Sequence, residues 1–323
     1  MCAAGDFHAR ETNPENRIDE DYMQTLFNKF WSVINIICKE SHKEKSILVL
    51  PGDVCDSFRI SDRLKSILIN NLLKARDEYN IHIFAIAGQH DQRYHTTDIE
   101  NTPINVLASS KALTIVPSNG LQILDGDIKI MFYGCGWGEE NKLKQVDKNS
   151  DLNILIIHQM ISDKDYWHNH VEYVNSYKSL YKYGYDLIIS GDNHNAFSSH
   201  DKDKHLINCG SWMRSRIDQI DHKPVVYLFN TNTQKLSKHY IPTLPPDQVL
   251  RIDLKAKIEA QNESLGVFSN ALESAFDSES EELDFVKKIR LTTDNLEQSA
   301  RLGITSDVKD IIFEAVKKAT GEK

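Results

Sequence analysis

Apolar residues along 21–39 recur at helical spacing, with Leu26, Phe30, Val33, Ile34 and Ile37 on one face, which predicts an amphipathic helix. The next apolar run, 46–50, is short, β-prone and closed by Pro51-Gly52, which predicts a strand. The pair repeats: a helix over 61–79 with Ser61 placed to cap its first turn, then a strand over 81–87 stopped by Gly88. Further strands are predicted at 129–133, 153–157, 186–190 and 206–209. Helices alternating with apolar strands predict an α/β fold, a layered β-sandwich core flanked by helices in four layers. After Pro224, the runs 225–230 and 235–242, separated by Thr231-Asn232-Thr233-Gln234, predict a hairpin. Pro242, Pro245 and Pro246 then punctuate the chain, so a main domain is expected over 1–246 and a small α+β appendage over 247–323. The appendage would hold a strand near 288–292 and a helix over 306–318, with Ser306 and Asp307 at its start and Lys317 and Lys318 at its end.

Composition narrows the class. The chain has 323 residues, 40% of them apolar and 26% charged, which suits a globular protein with a real core. No apolar run approaches the roughly 18 residues that cross a bilayer, and the first residues lack a basic and then apolar leader, so a cytoplasmic protein without membrane contact is expected. The five cysteines, Cys2, Cys38, Cys55, Cys135 and Cys209, form no Cys-x-x-Cys pair, which points to free thiols. A net charge of -9 argues against a broadly basic nucleic-acid surface; local patches, metal ions or a partner would have to attract DNA.

Sites in open α/β folds form outside the carboxyl ends of strands. Asp6 and His8 are two apart on extended chain and can face one side together. Asp53 follows the predicted strand 46–50 in Gly52-Asp53-Val54-Cys55-Asp56, and Gly88-Gln89-His90-Asp91 follows the predicted strand 81–87. His158 ends the run Ile154-Leu155-Ile156-Ile157, and Asp192 and His194 lie in Gly191-Asp192-Asn193-His194 after Leu187-Ile188-Ile189-Ser190. Singly such motifs arise by chance. Five in order, each after an apolar strand, describe a metal centre at a sheet's rim. His168 and His170, by contrast, follow no clear strand and read as an ordinary loop.

This set resembles the calcineurin-like metallophosphoesterases, whose motifs are Asp-x-His, Gly-Asp, Gly-Asn-His-Asp, a lone His and Gly-His-x-His. The resemblance spans the first three-quarters of the chain. It implies two divalent cations: one held by Asp6, His8, Asp53 and His194, the other by Asp53, Gln89, His158 and Asp192, with Asp53 bridging. It also implies that His90, steadied by Asp91, contacts the phosphate and assists the leaving group. Gln89 stands where the family has Asn and Asp192 where it has the first His, departures similar to those of divergent, phage-encoded members. They make the second site oxygen-rich, which favours manganese or magnesium.

The loop 9–19 with Arg17 and Asp19, the predicted hairpin and the small appendage are similar to the SbcD-type DNA-repair exonucleases. That resemblance implies a manganese-dependent exonuclease or endonuclease active in DNA repair and recombination. Its implied partners are DNA, an SbcC-type SMC-like ATPase subunit and a second copy in a homodimer. Asn208-Cys209-Gly210-Ser211 resembles the family's glycine-serine loop. Arg17, Ser211, Trp212, Arg214 and Arg216 are therefore expected to meet substrate, the arginines through phosphate and Trp212 by stacking a base. Two other functions fit the sequence, a hydrolase of nucleotides or other small phosphoesters and a catalytically weak scaffold for an ATPase.

Overall fold

The computed structural model describes residues 1–41, 44–162 and 175–252. The chain divides into a unit Met1–Leu250 and a unit Arg251–Lys323. The strand and helix expected in 247–323, and the loop with His168 and His170, lie outside the described residues. The first unit runs past the expected exit at residue 246: Val249 and Leu250 are buried, Ile18 donates its amide to the Val249 carbonyl, and Arg17 bridges to Leu250.

In chain order the elements are β1 (Cys2–Ala4), α1 (Tyr22–Glu40), β2 (Ser46–Leu50), α2 (Asp62–Tyr79), β3 (Ile81–Ala85), α3 (Pro103–Ser109), β4 (Thr114–Ile115), β5 (Leu121–Asp125), β6 (Ile128–Cys135), β7 (Leu152–His158), β8 (Ile161–Ser162), β9 (Asn175–Ser176), β10 (Leu187–Gly191), β11 (Phe197–Asp201), β12 (Lys204–Asn208), β13 (Val225–Phe229) and β14 (Leu236–Tyr240). Two six-stranded sheets have the orders β14-β13-β1-β2-β3-β4 and β11-β12-β10-β7-β6-β5. In the first sheet β1, β2, β3 and β4 are parallel and the β13-β14 hairpin joins antiparallel beside β1; in the second β12, β10, β7 and β6 are parallel with antiparallel β11 and β5 at the edges, so parallel strands of both sheets can deliver their carboxyl ends to one rim.

Side-chain alternation sorts the core into layers. Leu48 and Leu50 of β2 join Leu26, Phe30, Ile34, Leu64 and Leu68 of the helices, while Val49 turns inward to meet Ile154, Ile156 and Ile189 of the second sheet. Leu155, Ile157 and Ile188 face the other way, under Leu180 and Tyr185, so strands with both faces covered carry apolar residues on both sides of their central run. The predicted helices form: Ser61 caps α2 as predicted, accepting from the Leu64 amide, and Asp21 caps α1, accepting from the Gln24 amide. The predicted hairpin is β13 and β14, with Val225 opposite Tyr240.

Strand β1 is implied by the place of Asp6 and His8 but not marked by its own residues. Cys-Ala-Ala carries no β-branched side chain, yet it is buried between β2 and β13, where small residues are what a central strand between close neighbours admits. Strand β11 was missed, because Phe-Ser-Ser-His-Asp is a polar, mostly exposed edge.

Candidate metal centre

The rim of the two sheets gathers loops from five strands: those after β1, β2, β3, β7 and β10. His158 is the last residue of β7, paired in register with Gly191 of β10, so two parallel strands end together at the site. His8, Asp53 and Asp192 all have left-handed backbones (φ 46°, 46° and 81°), strain that a packed site holds in place. Glycine allows the loops to approach this closely: a Cβ on Gly88 would meet the Asp53 amide and Oδ1 at 2.2 Å, and one on Gly52, itself at φ +104°, would meet His158 Nδ1 at 2.2 Å.

Two groups of donors converge, Asp6 with His8 and His194, and His8 with Asp53 and His90. His8 Nε2 lies 3.1 Å from His194 Nε2, and His194 Nε2 lies 3.6 Å from Asp6 Oδ2. Asp53 Oδ2 is 3.8 Å from His8 Nε2, 3.4 Å from His158 Nε2 and 4.0 Å from His90 Nε2, the position of a carboxylate that can serve two cations. Asp192 falls outside both groups. Its amide donates to both oxygens of Asp6, its carboxylate accepts from the Met160 amide, and its charge is felt at His158. Gln89 is half-buried in the loop between Gly88 and His90.

This donor set fits divalent cations. His158 Nδ1 donates to the Pro51 carbonyl at 2.7 Å, which aims Nε2 at Asp53; that nitrogen is buried and has no other partner among the described residues. Burial alone would lower the His158 imidazole, but Asp53, Asp6 and Asp192 push it up to about 10, so the carboxylates around it call for positive charge. Burial pulls His8 down to about 3 and His194 down to about 4, leaving both rings neutral with adjoining lone pairs, the form that binds a metal. Burial raises Asp6 and Asp192; for Asp53 the imidazoles of His158, His8 and His90 outweigh burial and hold the carboxyl low.

Asp91 corrects one expectation. It is fully buried and its oxygens accept from the amides of Val54 (3.1 Å), Cys55 (2.9 Å) and Gly88 (3.0 Å), tying the Asp53 loop to the His90 loop rather than bracing the His90 ring. The ring is set by Asp56 instead, whose carbonyl accepts from His90 Nδ1 at 2.9 Å, and the His90 amide donates to Asp53 Oδ1 at 2.8 Å. The sequence marks Asp56 only as part of Gly52-Asp53-Val54-Cys55-Asp56. Its carboxylate also pairs with Arg10 at 3.0 Å and lies 3.6 Å from His8 Nδ1.

Four of the five residues expected to meet substrate are interior. Trp212 is 1% exposed, lies edge-on to Phe7, stacks near Phe30 and donates its indole N–H to the Gly5 carbonyl, so it offers no face to a base. Arg214 spends its guanidinium on the carbonyls of His222 and Leu244. Arg17 is buried in a two-pronged pair with Asp19, both contacts 2.6 Å, and reaches the Arg214 carbonyl. Ser211 donates to the Met213 carbonyl and accepts from Gln219. Only Arg216 is exposed. A polar sequence next to a site loop cannot reveal this, because backbone carbonyls that satisfy an arginine leave no trace in the residue order.

Comparison with known proteins accords with this geometry. A profile of the calcineurin-like phosphoesterase family matches residues 2–196. A search of curated proteins finds no match. Similar solved structures include an archaeal phosphodiesterase (12% identity, TM-score 0.36, covering 74% of this chain and 99% of that one). They also include a Staphylococcus aureus protein assigned as a 5'-nucleotidase (14%, 0.43, 76% and 53%) and a hypothetical protein of Pyrococcus horikoshii (13%, 0.40, 81% and 93%). At such scores these structures carry nothing about substrate, and the assignment rests on the family profile. The chain belongs to the calcineurin-like phosphoesterase family.

Proposed function

We propose that this metal-dependent phosphoesterase is a two-cation nuclease of the SbcD type that cleaves DNA, with manganese as its working metal and magnesium as a substitute. The observation that supports phosphoester cleavage is the meeting of Asp6, His8, Asp53, His90, His158 and His194 from both sheets at one rim. Asp6, His8, Asp53 and His194 would hold one cation, and Asp53, Gln89, His158 and Asp192 the other. Bound there, divalent cations supply Lewis acidity toward the phosphoryl oxygens and toward water.

The chain's own residues do the rest. Asp53, fixed by the His90 amide, would be shared between the two proposed sets. His90 keeps Nδ1 on the Asp56 carbonyl, so its ring plane is fixed and Nε2 is presented at the rim; in protonated form it gives a proton to the departing oxygen, a role worth about 10² to 10⁴ in rate. DNA as substrate, an SbcC-type ATPase partner and homodimer formation rest on the resemblance of the loop 9–19, the hairpin and the small appendage to SbcD-type exonucleases. The net charge of -9 favours a second reading, hydrolysis of small phosphoesters.

The deciding experiment incubates purified protein and manganese with end-labelled linear duplex or single-stranded DNA. The parent should cleave, His90→Ala should cleave about 10²- to 10⁴-fold more slowly, and Asp53→Ala should not cleave. Cleavage persisting in both variants would trace to a contaminant, and turnover of small phosphoesters without DNA cleavage would establish the second reading.

A further inference from the structure

The loops that carry Asp53 and His90 also carry an aromatic platform that none of the roles above employs. Phe58 follows Asp56 in the first loop, and Tyr94 follows His90 and Asp91 in the second; their ring centroids are 5.2 Å apart. Tyr94 is 62% exposed although its backbone is left-handed (φ 51°, ψ 35°), a conformation a bulky side chain adopts only under strain. Its neighbours brace it there: Arg59 Nη2 donates to the Tyr94 hydroxyl at 3.1 Å, with its guanidinium 5.1 Å from the Phe58 ring, and the Arg93 guanidinium lies 5.3 Å from the Tyr94 ring. Neither guanidinium is in an ion pair among the described residues, on a protein whose net charge is -9.

We propose that Phe58, Tyr94, Arg59 and Arg93 form a subsite for single-stranded nucleic acid, with Tyr94 stacking an unpaired base beside the reacting phosphodiester and the two arginines meeting neighbouring phosphates. The proposal rests on the reading of the metal centre as a phosphodiesterase. An exposed ring is of use to a substrate with a flat, apolar face, and every nucleobase has one. Two guanidinium groups flanking that ring and without an acidic partner among the described residues suit a strand, which brings further phosphates, better than a mononucleotide, whose one phosphate is consumed at the metals. The platform also takes over the base-stacking role that the buried Trp212 cannot fill.

The test measures binding by the full chain in a His90→Ala background with manganese, using a single-stranded oligonucleotide that carries one 2-aminopurine. The base should be quenched on binding, and Tyr94→Gly, which removes the ring while suiting the left-handed backbone, should weaken affinity roughly 5- to 100-fold and abolish the quenching. The preference for this strand over an abasic one should collapse in the same variant. Arg59→Gln and Arg93→Gln should each flatten the log-log salt dependence by about 0.7. Thermal melting separates these losses from misfolding, because Tyr94→Gly should melt no lower than its parent. Equal affinities in parent and Tyr94→Gly, or a 2-aminopurine mononucleotide bound as tightly as the strand, would overturn the proposal. Hydrolysis of a base-free phosphoester by the unmutated chain, lost in Asp53→Ala, judges the phosphodiesterase reading separately.

Discussion

Asp91 shows how one side chain can govern a site without touching substrate. Its carboxylate accepts three backbone amides from two loops, and those loops hold Asp53 in a left-handed conformation and present His90. A buried amide stripped of its acceptor costs about 1 to 3 kcal/mol, so Asp91→Ala should destabilise the protein by at least ~3 kcal/mol. Asp91→Asn keeps one acceptor oxygen and should lose less. Chemical denaturation of both variants checks the order, and equal losses would show that the amides find other partners. The sequence offered Asp91 as part of Gly88-Gln89-His90-Asp91, but residue order does not say whether a carboxylate turns toward a ring or toward a backbone. Arg214 and Trp212 illustrate the same limit, since their partners are main-chain oxygens and distant rings, and Arg17 adds a main-chain oxygen 197 residues away to its pair with Asp19.

Among the elements, α1 carries an anomaly its apolar periodicity concealed. Lys29 lies on the buried face beside Leu26, Phe30 and Val33, with Nζ donating to the Pro242 carbonyl at 3.0 Å. Burial, reinforced by Arg17 and Arg214 and only partly offset by Asp19, lowers its pKa from 10.5 to about 7. Between those values the unfolded chain binds more protons than the folded one, so stability rises with pH from about 7 to 10.5, and the cost of charging Lys29 is fully felt below 7. Lys29→Met should therefore stabilise the protein at pH 6 by up to roughly 5 kcal/mol, less the lost hydrogen bond, and the gain should shrink toward pH 10. Urea midpoints at pH 6, 8 and 10 test this, and a gain independent of pH would refute it. The strands β2, β3, β7 and β10 were legible because covering both faces makes their centres runs of apolar residues. Strand β1 was not, because its position between two partners, rather than its side chains, makes it a strand.

At the scale of the whole molecule, the site is a product of two sheets. Asp6, His8, Asp53 and His90 come from the first sheet's strand ends, and His158, Asp192 and His194 from the second's, so separating the sheets dismantles it. Cations that bind the folded protein alone stabilise it, by about 2.7 kcal/mol at a concentration one hundred times the dissociation constant. Chelation should accordingly abolish phosphoester hydrolysis and lower the melting temperature, manganese should restore both, and elemental analysis of the reloaded protein should find two metals per chain. An unchanged melting temperature after chelation would mean that the clustered carboxylates and imidazoles do not need a cation. The sequence alone determined α1, α2, the long buried strands β2, β3, β7 and β10 and the order of Asp, His and Gly motifs, because burial patterns and turn chemistry are local properties written in neighbouring residues. Only the tertiary structure decided which polar side chains face the rim and which are consumed by backbone groups. It alone also placed Phe58 beside Tyr94, because those outcomes depend on contacts between segments far apart in the chain.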